Sequence, residues 1–160
     1  MIAALVREHS AKLATYARHL GADEAFAKDA AAEAFLRLCK KDEIRADGAK
    51  AWLYKVCRNI VFDEFKRRRR ETPCDAADFE GFHDLSPTAS AACMESERAR
   101  IVFDEVRKLP AAKREVVFMR YYNGLEYSQI AYVLDMSVSN VGVILNRAVA
   151  QMQKNLEGVL

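Results

Sequence analysis

The stretch that most constrains this chain runs from Ala49 to Arg70, AKAWLYKVCRNIVFDEFKRRRR. Wound as a helix, it places Leu53, Val56, Cys57, Ile60 and Val61 on one arc, the face that packs inward. Roughly opposite lie Trp52, Lys55, Asn59, Phe62 and Lys66, an aromatic and polar stripe at helical spacing, and the stretch ends in Lys66-Arg67-Arg68-Arg69-Arg70. Cations hold phosphates, an amide reads a base edge, and an aromatic ring stacks on an unpaired base, so the stripe suits nucleic acid. A plainer reading stands beside it: a solvated helix face whose basic end complements the helix dipole. Five consecutive cations repel one another, which works against compactness unless an anionic partner is near.

Charge elsewhere sharpens that point. The net formal charge of +2 conceals segregation: residues 1–71 carry 16 Lys and Arg against 11 Asp and Glu, residues 72–97 carry 6 acids and no base, and residues 98–160 carry 9 bases against 6 acids. Two basic blocks flank an acidic strip. A hydrophobic fraction of 51% with 30% charged residues describes a soluble globular chain, enough for one ordinary domain or two small ones. No apolar run approaches the roughly 20 residues of a membrane helix, and the N-terminus MIAALVREHSAK is charged too early for a secretory signal. A cytoplasmic protein without direct membrane insertion is expected. Cys39, Cys57, Cys74 and Cys93 form no C-x-x-C pair and read as free thiols, while His9, His19 and His83 are scattered, so no metal site is expected.

In chain order, Ile2, Leu5, Leu13, Tyr16, Ala17 and Leu20 mark a first helix that Gly21 stops. Asp23 caps a second, Glu24 to Cys39, with Phe26, Ala30, Ala34 and Leu38 as buried candidates, and charged KKDEIRADG leads into the third. Glu71 to Met94 has two prolines, a glycine and acids, the composition of a flexible connection, with Phe79, Phe82 and Leu85 apolar enough to dock transiently. Helicity returns at Glu95, with Ile101, Val102, Val106 and Leu109 on one stripe and Pro110 in the first turn of the next helix. That helix, Ala111 to Asn123, is expected to bury Val116, Val117, Met119 and Tyr121 before Gly124 ends it. A short helix over about Tyr127 to Leu134, a turn at Asp135-Met136 and a last helix capped by Ser137, with Val138, Val141, Leu145, Ala148 and Met152 inward, spell a helix-turn-helix. Nothing alternates at period two. The fold class expected is all-α: residues 1–71 as a three-helix domain, 72–94 as an acidic linker, and 95–160 as a helix-turn-helix domain.

Two blocks carry a family resemblance. AFLRL at Ala34 to Leu38 followed by AWLYKVCRNIVFDEFKRRRR resembles the second domain of extracytoplasmic-function (ECF) sigma factors, and LPAAKREVVFMRYYNGLEYSQIAYVLDMSVSNVGVILNRA, Leu109 to Ala148, resembles their fourth. The resemblance runs from about Leu5 to Leu156 and implies a bacterial initiation factor that joins core RNA polymerase, opens the −10 element with domain two and reads −35 with domain four. It places Trp52, Lys55, Asn59, Asp63, Lys66, Arg67 and Arg68 on the −10 recognition and melting stripe, and Arg45-Ala46-Asp47-Gly48 in the loop that holds an extruded base. Trapping that base outside the stack costs a few kcal/mol, which pocket contacts offset. Asp29 and Glu33 fall on the patch for core polymerase, where the plainer reading is two acids solvating a helix. The implied partners are core RNA polymerase, promoter DNA and an anti-sigma factor; no cofactor, no small-molecule substrate and no enzymatic activity are implied.

The chain departs from the family in two places. Ala30, Ala31 and Ala32 stand where the family usually has apolar residues and Gln. The last helix, rich in Lys and Arg in the family, presents Ser139, Asn140, Val143, Asn146, Arg147 and Ala150 on its outward arc with Ile144 at the edge, and Arg147 is the one charge among them. That face neutralises few phosphates, the usual source of affinity for DNA readers. An ECF sigma factor with weak or protein-assisted −35 reading is therefore expected. A sigma-like protein that merely sequesters an anti-sigma factor is the alternative, and the Lys66–Arg70 run argues against it, since a decoy needs no promoter-binding stripe.

Overall fold

In a computed structural model, which describes residues 2–71 and 97–158 but not the side chains of Ala46 and Asp47, the first helix α1 spans Ile2–His19. Gly21 ends it at a φ of 114°, donating to the Arg18 carbonyl at 2.9 Å while Ala22 reaches back to Ala17. Two residues on, the Asp23 carboxylate accepts from Phe26 N at 2.8 Å and starts α2, Glu24–Cys39. Helix α3 covers Ala46–Glu71, 26 residues. The expected loop Arg45 to Gly48 is shorter than the sequence suggests: the Arg45 carbonyl accepts from Gly48 N and Ala49 N, so Ala46 to Gly48 form the first turn of α3. A glycine there costs about 1 kcal/mol of helix propensity, and the hydrogen-bond ladder it extends offsets that.

These three helices enclose one core. Leu13, Tyr16, Ala17 and Leu20 meet Ala27, Ala30, Ala34 and Leu38 of α2 and Leu53, Tyr54, Cys57 and Val61 of α3, all at most 2% exposed. The inward arc of α3 is rotated from the expected one. Val56 and Ile60 are half-buried at its margin, while Tyr54 and Phe65 lie inside it. Tyr54 is held there by aromatic edges: its ring sits 5.5 Å from Tyr16 and 6.0 Å from His9, and its hydroxyl lies 3.4 Å from His9 Nδ1. Burial beside Lys50 pushes His9 below the usual imidazole range, with Glu8 opposing and Lys12 adding to the depression. Burial also pushes the Cys57 thiol up to about 12, leaving it inert, whereas Cys39 is exposed.

The chain divides into two compact units, Met1–Asp84 and Leu85–Leu160. Within the second, α4 is Glu97–Lys108, α5 Ala111–Tyr121, α6 Tyr127–Leu134 and α7 Val138–Leu156. Pro110 is the N-cap of α5, just outside the helix rather than in its first turn. Gly124, at a φ of 68°, turns the chain after α5 so that Leu125 N bonds the Met119 carbonyl at 3.0 Å and Leu125 enters the core. Val116, Phe118, Met119, Ile130, Val133, Val141, Leu145 and Ala148 surround it. Glu105, 8% exposed, anchors the far end: it accepts from Lys108 Nζ at 2.9 Å and from Asn155 Nδ2 of α7 at 3.2 Å.

Three residues expected in this core lie outside it. Tyr121 is 66% exposed, Val138 49% and Val102 37%. Periodicity names a face but not where it ends, and buried Phe118 and Leu125 lie on either side of Tyr121. Tyr121 and Val102 instead line an open apolar groove of about 400 Å³ between α4 and α5, with Phe103, Val106, Val117 and Phe118. The expected linker and its Phe79, Phe82 and Leu85, the start at Glu95, and Cys74, Cys93 and His83 fall outside the described residues. Among the described residues no single helix is long and apolar enough to cross a membrane.

Candidate nucleic-acid interface

An α-helix advances about 100° per residue, so Trp52, Lys55, Asn59, Phe62 and Lys66 fall within about 80° of arc, opposite buried Leu53, Tyr54, Cys57 and Val61. Exposure follows that geometry. Asn59, Asp63 and Lys66 are exposed, and Trp52, Lys55 and Phe62 are half-buried. Trp52 is held from one side by Lys41, whose ammonium lies 4.8 Å from the indole centroid, and Phe62 carries the Arg58 guanidinium at 4.7 Å. Each ring is thus braced by a cation, leaving a flat aromatic surface beside positive charge. Lys41 belongs to the short connection before α3, and nothing in its sequence context marked it for this position.

The basic end does not present its cations uniformly. Arg67 donates through Nε to Glu64 Oε2 at 2.9 Å, through Nη2 to Glu64 Oε1 at 2.5 Å and through Nη1 to Glu71 Oε1 at 2.8 Å. Arg68 donates through Nε to Glu64 Oε1 at 3.0 Å, and its guanidinium lies 5.2 Å from the Phe26 ring of α2. Arg68 therefore leaves the arc of Trp52 and Asn59 and turns toward α2. The two guanidinium groups hold the Glu64 carboxyl at about 2, well below the usual carboxylate range, and Glu64 and Glu71 together raise Arg67 further. Among the described residues Lys66 and Arg70 carry no ion pair.

On α2, Asp29 and Glu33 share an exposed face with Ala32 and with Leu36, a leucine left 55% exposed. Glu33 accepts from Arg37 Nε at 3.1 Å. Ala30 and Ala31, counted with that patch in the sequence, are 1% and 3% exposed and belong to the core, so of the three alanines only Ala32 bears on the surface. Leu36 stands alone as an exposed leucine beside these acids, and its place on this face was hidden in the sequence by the neighbouring core positions Phe35 and Leu38.

Helices α6 and α7 meet at 104° across Asp135, Met136 and Ser137, the angle and length of a helix-turn-helix. Asp135 takes a left-handed conformation, φ 53° and ψ 49°, which sharpens the turn, and Ser137 Oγ accepts from Asn140 N at 3.0 Å. Gln129 Oε1 accepts from Glu126 N at 2.9 Å and fixes the start of α6. All of Ser139, Asn140, Val143, Asn146 and Arg147 are exposed on α7, Val143 at 45%, with Ile144 half-buried at the edge. The Asn140 amide rests 3.8 Å from Met136 Sδ. Among the described residues no group of three or more His, Cys, Asp or Glu is placed to hold a metal.

Comparison with known proteins covers both units. Residues 5–71 match the family described as Sigma-70 region 2, and residues 99–152 match Sigma-70, region 4. The ECF RNA polymerase sigma factor SigL of Mycobacterium tuberculosis is 31% identical over 161 residues, 98% of this chain and 89% of the relative. The RNA polymerase sigma-H factor of Pseudomonas aeruginosa is 31% identical over 144 residues, 84% of this chain and 75% of the relative. Among solved structures, the sigma factor RpoE bound to the anti-sigma factor NepR from Bartonella quintana shares the fold at a TM-score of 0.69 and 17% identity, covering 98% of this chain and 96% of that one. CnrH in complex with the cytosolic domain of CnrY superposes at a TM-score of 0.62 with 26% identity, covering 98% and 87%.

Proposed function

The chain belongs to the extracytoplasmic-function family of RNA polymerase sigma factors, and from that premise we propose how its two units divide the work of starting transcription. As an alternative sigma factor it directs promoter recognition and is an initiation factor rather than a catalyst. Within the first unit, residues 1–71 dock on core RNA polymerase through Asp29, Glu33 and Leu36 and open the −10 element with α3. Trp52 stacks on a base freed from the duplex, Asn59 hydrogen-bonds an edge, and Lys55 and Lys66 hold the phosphates on either side. Asp63 borders that surface and keeps it from binding anions indiscriminately. Within the second unit, residues 95–160 lay α7 toward the −35 element with few phosphate contacts, so the reading there is weak or helped by another protein. An anti-sigma factor is a further partner, as NepR is for RpoE.

The observation that carries this reading is the outward arc of α3: two aromatic rings, one amide and cations, open on the side opposite a closed core. A solvated helix has no use for a half-exposed tryptophan braced by lysine. Reconstitution with core polymerase tests it. Promoter-dependent run-off transcripts are expected from a promoter library, and Trp52→Ala is expected to slow the appearance of permanganate reactivity at −10 while closed complexes still form. Binding to core without any promoter-dependent transcript would instead mark the chain as a decoy for an anti-sigma factor.

A further inference from the structure

The end of α3 holds its own competitor for DNA. From Glu64 to Glu71 five cations face two carboxylates, and those carboxylates are not spread evenly among them. Glu64 takes Arg67 by Nε and Nη2 and Arg68 by Nε, and Glu71 takes the remaining Nη1 of Arg67. All three nitrogens of the Arg67 guanidinium are thereby engaged, along both edges that a phosphate would use. A carboxylate and a phosphate each offer paired oxygens to the same fork of N–H donors, so one displaces the other and they do not share it. Lys66 and Arg70, which carry no ion pair among the described residues, meet no such competition.

We propose that Glu64 sets promoter selectivity by keeping Arg67 from arbitrary phosphates and releasing it only where α3 is already held by the promoter; Arg68, turned to Phe26 of α2, helps hold Glu64 in place. Non-specific binding consists almost wholly of phosphate neutralisation, so it loses the contribution of Arg67. At a promoter, capture of a base by Trp52 and Asn59 fixes the phosphates beside the helix end. Exchange of Glu64 for phosphate is then intramolecular and favoured by a high effective concentration. Exposed ion pairs of this kind are weak, worth roughly up to fivefold each, and therefore easily exchanged. A buried pair would lock the arginine away; here the Glu64 side chain is 21% exposed and that of Arg67 56%. The inference rests on the reading of α3 as the −10 surface.

The test uses holoenzyme reconstituted with Glu64→Gln, measured on a promoter fragment and on an unrelated duplex across a salt series. On the unrelated duplex, affinity is expected to rise roughly twofold to fivefold near 0.15 M salt, and the slope of log affinity against log salt to steepen by about 0.9 as Arg67 is released. Promoter affinity is expected to change less, so the ratio between the two falls. Glu71→Gln, which frees one edge of Arg67, should move both quantities the same way by less. Asp104→Asn, an equal charge change at an exposed i,i+3 pair with Arg107 in the second unit, should move neither. If Glu64→Gln and Glu71→Gln leave binding to the unrelated duplex unchanged while Arg67→Ala weakens promoter binding, the selectivity role is wrong and the α3 surface stands. If Arg67→Ala also changes nothing, the α3 surface itself is wrong and the inference falls with it.

Discussion

Helices α3 and α7 are both long, at 26 and 19 residues, and both open on one side, yet their open faces differ in kind. The face of α3 joins aromatic rings to cations and runs into five consecutive basic residues. That of α7 offers two amides, a serine, Val143 and Arg147. Phosphate attraction is long-ranged and indifferent to sequence, whereas amide and methyl contacts act only at a base edge already in reach. A chain that concentrates the first on one helix and leaves the second on another separates attachment from reading. On the proposed reading, the first unit holds DNA in the complex with polymerase and the second refines the choice once it has been brought there.

The largest expected effect breaks attachment. Changing Lys66, Arg67 and Arg68 together to Ala should weaken promoter binding by the holoenzyme for every sequence tried. The salt slope should become shallower by about 0.9 for each phosphate no longer neutralised. Because Arg67 and Arg68 start out paired with Glu64, the loss per arginine should be smaller than for Lys66. An unchanged slope would remove α3 from the DNA.

Next in size, Trp52→Ala and Asn59→Ala should slow promoter opening tenfold or more while sparing closed complexes, since stacking on a free base is worth about 1–3 kcal/mol. Trp52 is half-buried and braced by Lys41, so a packing role predicts a different result: a lower melting temperature of the free protein with normal opening. That pairing of results would reassign the ring to the fold.

How far the residues announced all this differs between the two units. Caps were plain. Gly21, Asp23, Gly124 and Ser137 each do the local job their chemistry dictates, so the helix ends they set lie close to where the pattern put them. Rotation of a helix was harder to read. Tyr54 and Phe65 lay off the expected inward arc but fill the α3 core, and Tyr121 and Val138, expected in the core, face outward. Apolar spacing defines an arc only to within a residue on each side, and the partner helix decides which margin closes. The exposed face of α7 was legible because nearly every residue on it is small, amide or β-branched. Least legible was the pairing at the end of α3. A run of arginines flanked by two glutamates reads as net charge, and only geometry shows that Glu64 serves two of them.

Smaller changes sharpen the α7 side. Val143→Lys adds a cation where Val143 is 45% exposed and should steepen the salt slope by up to about 0.9 if the helix lies against a duplex. If the face docks instead on a protein, Val143→Lys should leave the slope alone and weaken that docking. A library randomised at −35 gives the companion reading: the unmodified holoenzyme should return a shallow preference, and a sharp consensus obtained without any accessory protein would refute weak reading.

The smallest effect separates the units by acid. All three histidines, His9, His19 and His83, precede residue 85, so the second unit has no imidazole to titrate. His9 is 2% exposed between Tyr54, Lys50, Lys12 and Glu8, and its folded-state pKa lies below the usual imidazole range because of burial and the nearby ammonium groups. A depressed histidine stabilises the fold while neutral in both states. As pH falls through about 6.5, the unfolded chain takes up a proton that the folded chain refuses, and stability drops. The lone tryptophan, Trp52, sits in the same unit and reports its unfolding alone. Between pH 7.5 and 5.5 the melting temperature followed by Trp52 fluorescence should fall by a few degrees, since ~1 kcal/mol moves a domain of this size by about 4–8 °C. His9→Gln should flatten that dependence, because the glutamine amide keeps a polar partner near the Tyr54 hydroxyl and never charges. Equal pH slopes for the two proteins would show that the buried His9 is not what makes the first unit acid-sensitive.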